Sequence, residues 1–144
     1  MPILKTYLPD VNVWVALAYD AHVHNQKAID WFDSVQETIA FCRVTQMGFL
    51  RLLTNRKVMG DDVLTQEEAW QDYDQLQADP RISFLNEPGQ CEEAWRSITQ
   101  QKKPSLHTWT DAYLLAFSKI HELTFVTFDQ SFKITSDARI VVLA

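Results

Sequence analysis

A chain of 144 residues with 47% hydrophobic and 22% charged residues, and with only 3 Gly and 5 Pro, has the composition of a globular protein, which excludes disorder and low complexity. Its length suits a single domain, residues 1–144, around one core. The formal net charge of −6 excludes a protein that coats nucleic acid by cationic charge alone. It leaves room for a nuclease, because acids gathered at a metal site lower the net charge while the bound cation restores attraction for phosphate.

In chain order, short apolar runs alternate with longer helical patterns, which predicts an α/β domain with buried parallel strands. The opening MPILKTYLPD lacks an apolar leader core, and no stretch approaches the roughly 20 apolar residues of a membrane span, so a cytoplasmic location without a membrane partner is expected. A first strand over Leu4–Leu8 runs into LPDVNVW, where Asp10 and Asn12 interrupt apolar residues and either serves to cap a helix over Val13–Tyr19. His22-Val23-His24 reads as a bend before a helix at Asn25–Val35, since alternate residues outside a strand converge poorly on a metal. A strand over Thr38–Cys42 precedes a helix at Gln46–Asn55, whose Phe49, Leu50, Leu52 and Leu53 form an apolar stripe. Cys42 and Cys91 fall outside any C-x-x-C spacing and read as buried, reduced thiols. Thr65-x-x-Glu68 marks the start of a helix to Ala78; a strand at Ile82–Leu85 and a helix at Gly89–Gln101 follow. Thr108-x-x-Asp111 opens a helix over Trp109–Glu122, and strands at Thr124–Thr127 and Arg139–Leu143 complete the pattern.

In a parallel sheet each strand ends, and the next helix begins, at the same C-terminal edge, which is where ligand sites collect. Asp10 follows the first strand and Asp129 follows the strand Thr124–Thr127, while Asp111 opens the helix leading into that strand. Singly, each acid has a structural explanation as a cap or turn residue. Together they conflict: two carboxylates about 5 Å apart repel by on the order of 3 kcal/mol at an effective dielectric of about 20. A hard divalent cation resolves the conflict and points to phosphoryl chemistry.

The stretches PDVNVW, RVTQMGFLRLLTN, HTWTDAYLLAFS and LTFVTFDQSF, in this order over nearly the whole chain, resemble the PIN-domain ribonucleases of the VapC toxin type. That resemblance implies a three-layer α/β/α sandwich with a central parallel five-stranded sheet. It implies an endoribonuclease dependent on Mg²⁺ or Mn²⁺, in which metal-activated water attacks RNA to leave a 5′-phosphate. It also implies a VapB-type antitoxin that masks the site, and a homodimer. Asp10, Asp111 and Asp129 then take the places of the metal ligands, and Asn12 and Thr127 support them through hydrogen bonds. Many relatives carry a Glu early in the helix that here reads Thr45-Gln46-Met47-Gly48, so Gln46 is left to support water or metal through a neutral carbonyl.

Arg51, Lys102 and Lys103 are candidate RNA guides, against an equally simple reading as solvated charge. His107 is a loop residue close to Asp111 in sequence, and Ser105 has no flanking elbow glycines, so a Ser-His-Asp triad is rejected. Trp14, Trp31 and Phe32 suit either the core or contacts with a dimer partner or antitoxin. Two competing readings remain. One is a PIN module that binds RNA or antitoxin without cutting, motivated by Gln46. The other is a phosphatase that forms an aspartyl-phosphate on Asp10 of Asp10-Val11-Asn12.

Overall fold

The computed structural model describes residues 5–100, 102, 108–134 and 139–144. Five parallel strands form one sheet in the order β3-β2-β1-β4-β5: β1 Thr6–Pro9, β2 Thr38–Phe41, β3 Ile82–Phe84, β4 Thr124–Thr127 and β5 Ile140–Val142. The register pairs Tyr7 with Ile39 on one side and Leu8 with Phe125 on the other. The chain steps outward from β1 through β2 to β3, then crosses back to β4 and β5. Strand order therefore reverses between β1 and β4, the kind of position at which open α/β sheets form a crevice beyond the strand C-termini.

Helices cover both faces, giving three layers. On one face lie α1 Val11–Ala18, α2 Asn25–Ser34, α3 Arg43–Leu53 and α5 Gln66–Gln77, sharing a core with Trp14, Ile39, Phe41, Phe49 and Tyr73. On the other lie α6 Cys91–Thr99 and α7 Trp109–His121, packed on Leu8, Leu115, Phe117 and Phe125. Both cysteines are free and buried. No helix among the described residues is long and apolar enough to cross a membrane.

The pattern of elements matches the one expected from the sequence, with shifts at the ends. Pro9 extends β1 beyond Leu8; its missing N–H falls on the β2 side, where pairing has stopped at Tyr7, and the next residue's N–H bonds Val126 O at 2.7 Å. Helix α1 starts at Val11, two residues earlier than expected, because Asp10 itself caps it. Helix α3 starts at Arg43 instead of Gln46, and Asn55 does not end it but caps a further short helix, α4 Arg56–Met59, by accepting from Lys57 N at 2.9 Å. Trp14 is core and offers no surface contact: it is fully buried and stacks on Phe41 at 3.8 Å between centroids.

Gly48 lets two helices meet beside the strand ends. A Cβ built there would lie 2.6 Å from Cγ2 of Val11, so only glycine lets α3 approach the first residue of α1 this closely.

Candidate active site

Asp10 stands at the C-terminal end of β1 with extended backbone, φ −63° and ψ 159°, and does three things at once. Its carbonyl accepts from Val13 N at 3.0 Å to start α1. One carboxylate oxygen accepts from Val11 N at 2.7 Å, and the other accepts from the Thr127 hydroxyl at 3.1 Å. Thr127, wholly buried at the end of β4, in turn accepts from the Asp129 N–H at 3.1 Å. A single hydroxyl therefore ties the acid that follows β1 to the acid that follows β4, across the point where strand order reverses.

Asp111 reaches the same edge from the opposite helical layer. Thr108 caps α7 by accepting from Asp111 N at 3.1 Å. In α5 the equivalent cap is reciprocal, with Glu68 returning a carboxylate to Thr65 N at 2.9 Å, but in α7 Asp111 makes no such return bond among the described residues. The capping pattern thus uses only the Asp111 backbone and leaves its carboxylate to the site. Asp129 opens a 3₁₀ turn, Gln130–Ile134, and accepts from Ser131 N at 2.9 Å.

Burial and like charge set Asp10 apart. Burial is the main force raising the Asp10 carboxyl to about 6, and the charges of Asp111 and Asp129 raise it further against the opposing hydrogen bonds from Val11 and Thr127. No ion pair relieves Asp10 among the described residues. Nor do any three His, Cys, Asp or Glu side chains among those residues stand close enough together to hold a metal ion as they are. The donor set still fits a hard cation in kind: carboxylate oxygens from three separate segments, one of them buried with no positive partner.

Other candidates fall elsewhere. Asn12 is exposed on α1 and makes no hydrogen bond to the carboxylates among the described residues, because Asp10 has taken the capping position and Asn12 lies two residues beyond it. Gln46 is buried with its carbonyl engaged: Oε1 accepts from Arg43 at 2.5 Å. That bond occupies the carbonyl that the sequence left free for water or metal. Arg51 lines a separate hollow of about 400 Å³ with Met47 and Trp70. Lys102 is exposed, and Lys103, Ser105 and His107 lie outside the described residues. His22 uses Nδ1 to accept from His24 N at 3.0 Å, as suits a bend, while the His24 ring stacks on Phe128 at 4.5 Å, next to Asp129.

One feature of the same edge has no counterpart in the expectations from sequence. Beyond the first turn of α7 lies a hollow of about 570 Å³ walled by aromatic rings and rimmed by Arg43. The 5 tryptophans fall one in each of five predicted helices. Nothing local distinguished them from core.

Comparison with known proteins agrees with this layout. The PIN domain family matches residues 7–138. The chain is 40% identical over 131 residues to "Ribonuclease VapC41" of Mycobacterium tuberculosis, covering 87% of this chain and 90% of that protein. It is 29% identical to "Ribonuclease VapC44" of the same organism over 90% of this chain and 89% of the relative. Among solved structures, VapBC2 of Rickettsia felis bound to a promoter DNA fragment superposes with TM-score 0.72 at 14% identity, covering 97% of this chain and all of that one. VapC20 of Mycobacterium tuberculosis, a toxin that cleaves the sarcin-ricin loop, superposes with TM-score 0.70 at 13% identity over 92% of this chain and 97% of that one.

Proposed function

This chain belongs to the PIN domain family and, within it, to the VapC ribonuclease toxins, and from that membership we propose that it is an endoribonuclease dependent on Mg²⁺ or Mn²⁺ and restrained by a VapB-type antitoxin. The observation that carries the metal-dependent reading is the Asp10 carboxylate, buried, without a positive partner among the described residues and acted on by the charges of Asp111 and Asp129.

In this reading Asp10, Asp111 and Asp129 hold the cation. Bound there, a divalent cation supplies the positive charge that activates water and offsets the charge developing on an RNA phosphate. The chain's own residues prepare its seat. Val11 N–H and the Thr127 hydroxyl fix the Asp10 carboxylate in one orientation, so little freedom is lost when a ligand arrives. The Thr108 hydroxyl holds the backbone N–H of Asp111, and the Ser131 N–H donates to the Asp129 carboxylate. Because Asp10 keeps a proton up to about pH 6, the cation competes with that proton, and affinity rises as the pH climbs past 6.

The antitoxin assignment is supported by fold neighbours such as the Rickettsia felis complex, in which toxin and antitoxin are bound together on DNA. A second reading, a PIN module that binds RNA without cutting, is favoured by the engagement of the Gln46 carbonyl with Arg43. Purified protein incubated with total RNA separates the two. The expected result is cleavage with Mg²⁺ or Mn²⁺, lost in EDTA and in Asp111→Ala; cleavage indifferent to metal sinks the first reading, and binding without any cleavage favours the second.

A further inference from the structure

The first turn of α7 divides the C-terminal edge of the sheet into two flanks. A helix turns about 100° per residue, so residues 109, 110, 113 and 117 share a side nearly opposite residue 111. Asp111 serves the carboxylate flank. The other side opens into the hollow of about 570 Å³, between the start of α3, the end of β3 and α6.

Three rings there pack edge to face. Trp95 meets Trp109 edge to face at 6.0 Å and 83°, and meets Tyr113 at 5.4 Å and 85°. The Trp95 indole N–H donates to Trp109 O at 3.0 Å, which anchors the pair from behind. Trp109 nevertheless remains 70% exposed. An indole braced in place yet left open to water is a stacking platform waiting for a planar partner. The rim supplies both signs: the Arg43 guanidinium lies 4.8 Å over the Phe84 ring, and the Glu87 carboxylate accepts from the Tyr113 hydroxyl at 2.7 Å. Arg43 suits a phosphate and Glu87 a base N–H, a pairing that an apolar peptide does not need.

We propose that this hollow binds an unpaired base of the RNA substrate, next to the phosphate that is cut, with the base stacked on Trp109 and Arg43 on an adjoining phosphate. The assignment rests on the ribonuclease reading and adds to it a determinant of sequence preference. A strand lying along the sheet edge passes from the carboxylates over one helix turn into the hollow, so the two flanks read neighbouring parts of one chain. Recognition of single-stranded RNA by aromatic stacking beside a basic group follows the same physics.

The test uses the full chain and a fluorescein-labelled oligoribonucleotide that the protein cuts. Its binding is followed by anisotropy in EDTA, and its cleavage is followed in Mg²⁺. Trp109→Ala is expected to weaken binding about tenfold, as loss of one stacked base does, while Trp109→Phe restores most of it. Arg43→Ala is expected to weaken binding about threefold, less at high salt. Abasic substitution along the oligonucleotide then identifies one position that costs the parent about tenfold but costs Trp109→Ala nothing further. Equal abasic profiles for parent and Trp109→Ala overturn the assignment, as does a Trp109→Ala protein that handles RNA normally but loses its antitoxin. If the parent cuts RNA and the variants match it, only the hollow is misassigned; if the parent neither binds nor cuts RNA, the ribonuclease reading falls and takes this one with it.

Discussion

Asp79 and Asp10 occupy opposite ends of the strands, Asp79 just before β3 and Asp10 just after β1, and their surroundings treat the same charge in opposite ways. Asp79 accepts from Arg81 Nη2 at 2.8 Å, from Arg81 Nε at 3.1 Å and from Arg81 N at 2.9 Å, and that pairing holds its carboxyl below the usual range. Arg81 also donates to Phe32 O and Val35 O, closing the C-terminus of α2, and covers the Phe32 ring at 4.1 Å. Every group in that corner has a partner. At Asp10 burial dominates, two more acids face it, and two hydrogen bonds only partly compensate. The first corner contributes to folding as it stands, whereas the second costs the chain stability once Asp10 is charged. Perturbed carboxylates of this kind concentrate at functional sites.

Removing the discordant acid has the largest expected consequence. Asp10→Ala is expected to lower RNA cleavage at saturating Mg²⁺ by about 10³-fold, on the scale of losing one group that stabilises transition-state charge. Single-turnover cleavage of a defined RNA measures it, and a variant within a few-fold of the parent removes Asp10 from the chemistry.

The next effect reads the cost of the same charge on folding. The folded value of about 6 lies above the ordinary 3.8, so between the two the native state holds more proton than the unfolded chain. Stability from this group is therefore complete below about pH 4 and is lost as pH rises through about 6, by up to about 3 kcal/mol. Urea unfolding in EDTA across that window is expected to show the loss in the parent and not in Asp10→Asn, with added Mg²⁺ reversing it in the parent. A flat difference between the two proteins contradicts the electrostatic contrast.

At the concordant corner the sign reverses. Arg81→Ala strands two helix-end carbonyls and the Asp79 carboxylate, and is expected to cost about 2 kcal/mol in chemical denaturation while leaving cleavage per folded molecule unchanged. A loss of activity without loss of stability would mean that the two corners are coupled. Smallest is Gly48→Ala, where the added methyl meets Val11 and is expected to cost about 1 kcal/mol. Because the Val11 N–H holds the Asp10 carboxylate, that variant also loses cleavage a few-fold, which a temperature-matched assay separates from unfolding.

Much of this was legible in the residues. The bounds of β4 at Thr124–Thr127 coincide with expectation, and α7 differs only at its last residue, because a short apolar strand and a capped amphipathic helix carry local signatures. Thr108-x-x-Asp111 identified a helix start but not whether the acid would return to its own cap, and the contrast with Glu68 appears only when both helices are in place. Asp10 and Asn12 were equivalent caps on paper; the turn out of β1 chose Asp10 and left Asn12 in solvent. Gln46 was expected to support water or metal through its carbonyl, and that Arg43 donates to that carbonyl is a side-chain geometry that spacing does not announce. The aromatic hollow was not legible at all, since its walls come from α3, β3, α6 and α7.

By itself, then, the sequence determined the alternation of strands and helices, the burial of β4 and most of β2, and the placing of one acid at each of three element ends, because periodicity and capping act over a few residues, whereas the edge strands β3 and β5 are only partly buried. Only the tertiary structure decided that β1 lies beside β4 and that Thr127 bonds Asp10. Those pairings join residues from opposite ends of the chain, and they follow from how the helical layers pack on the two faces of the sheet, for which no local pattern stands in.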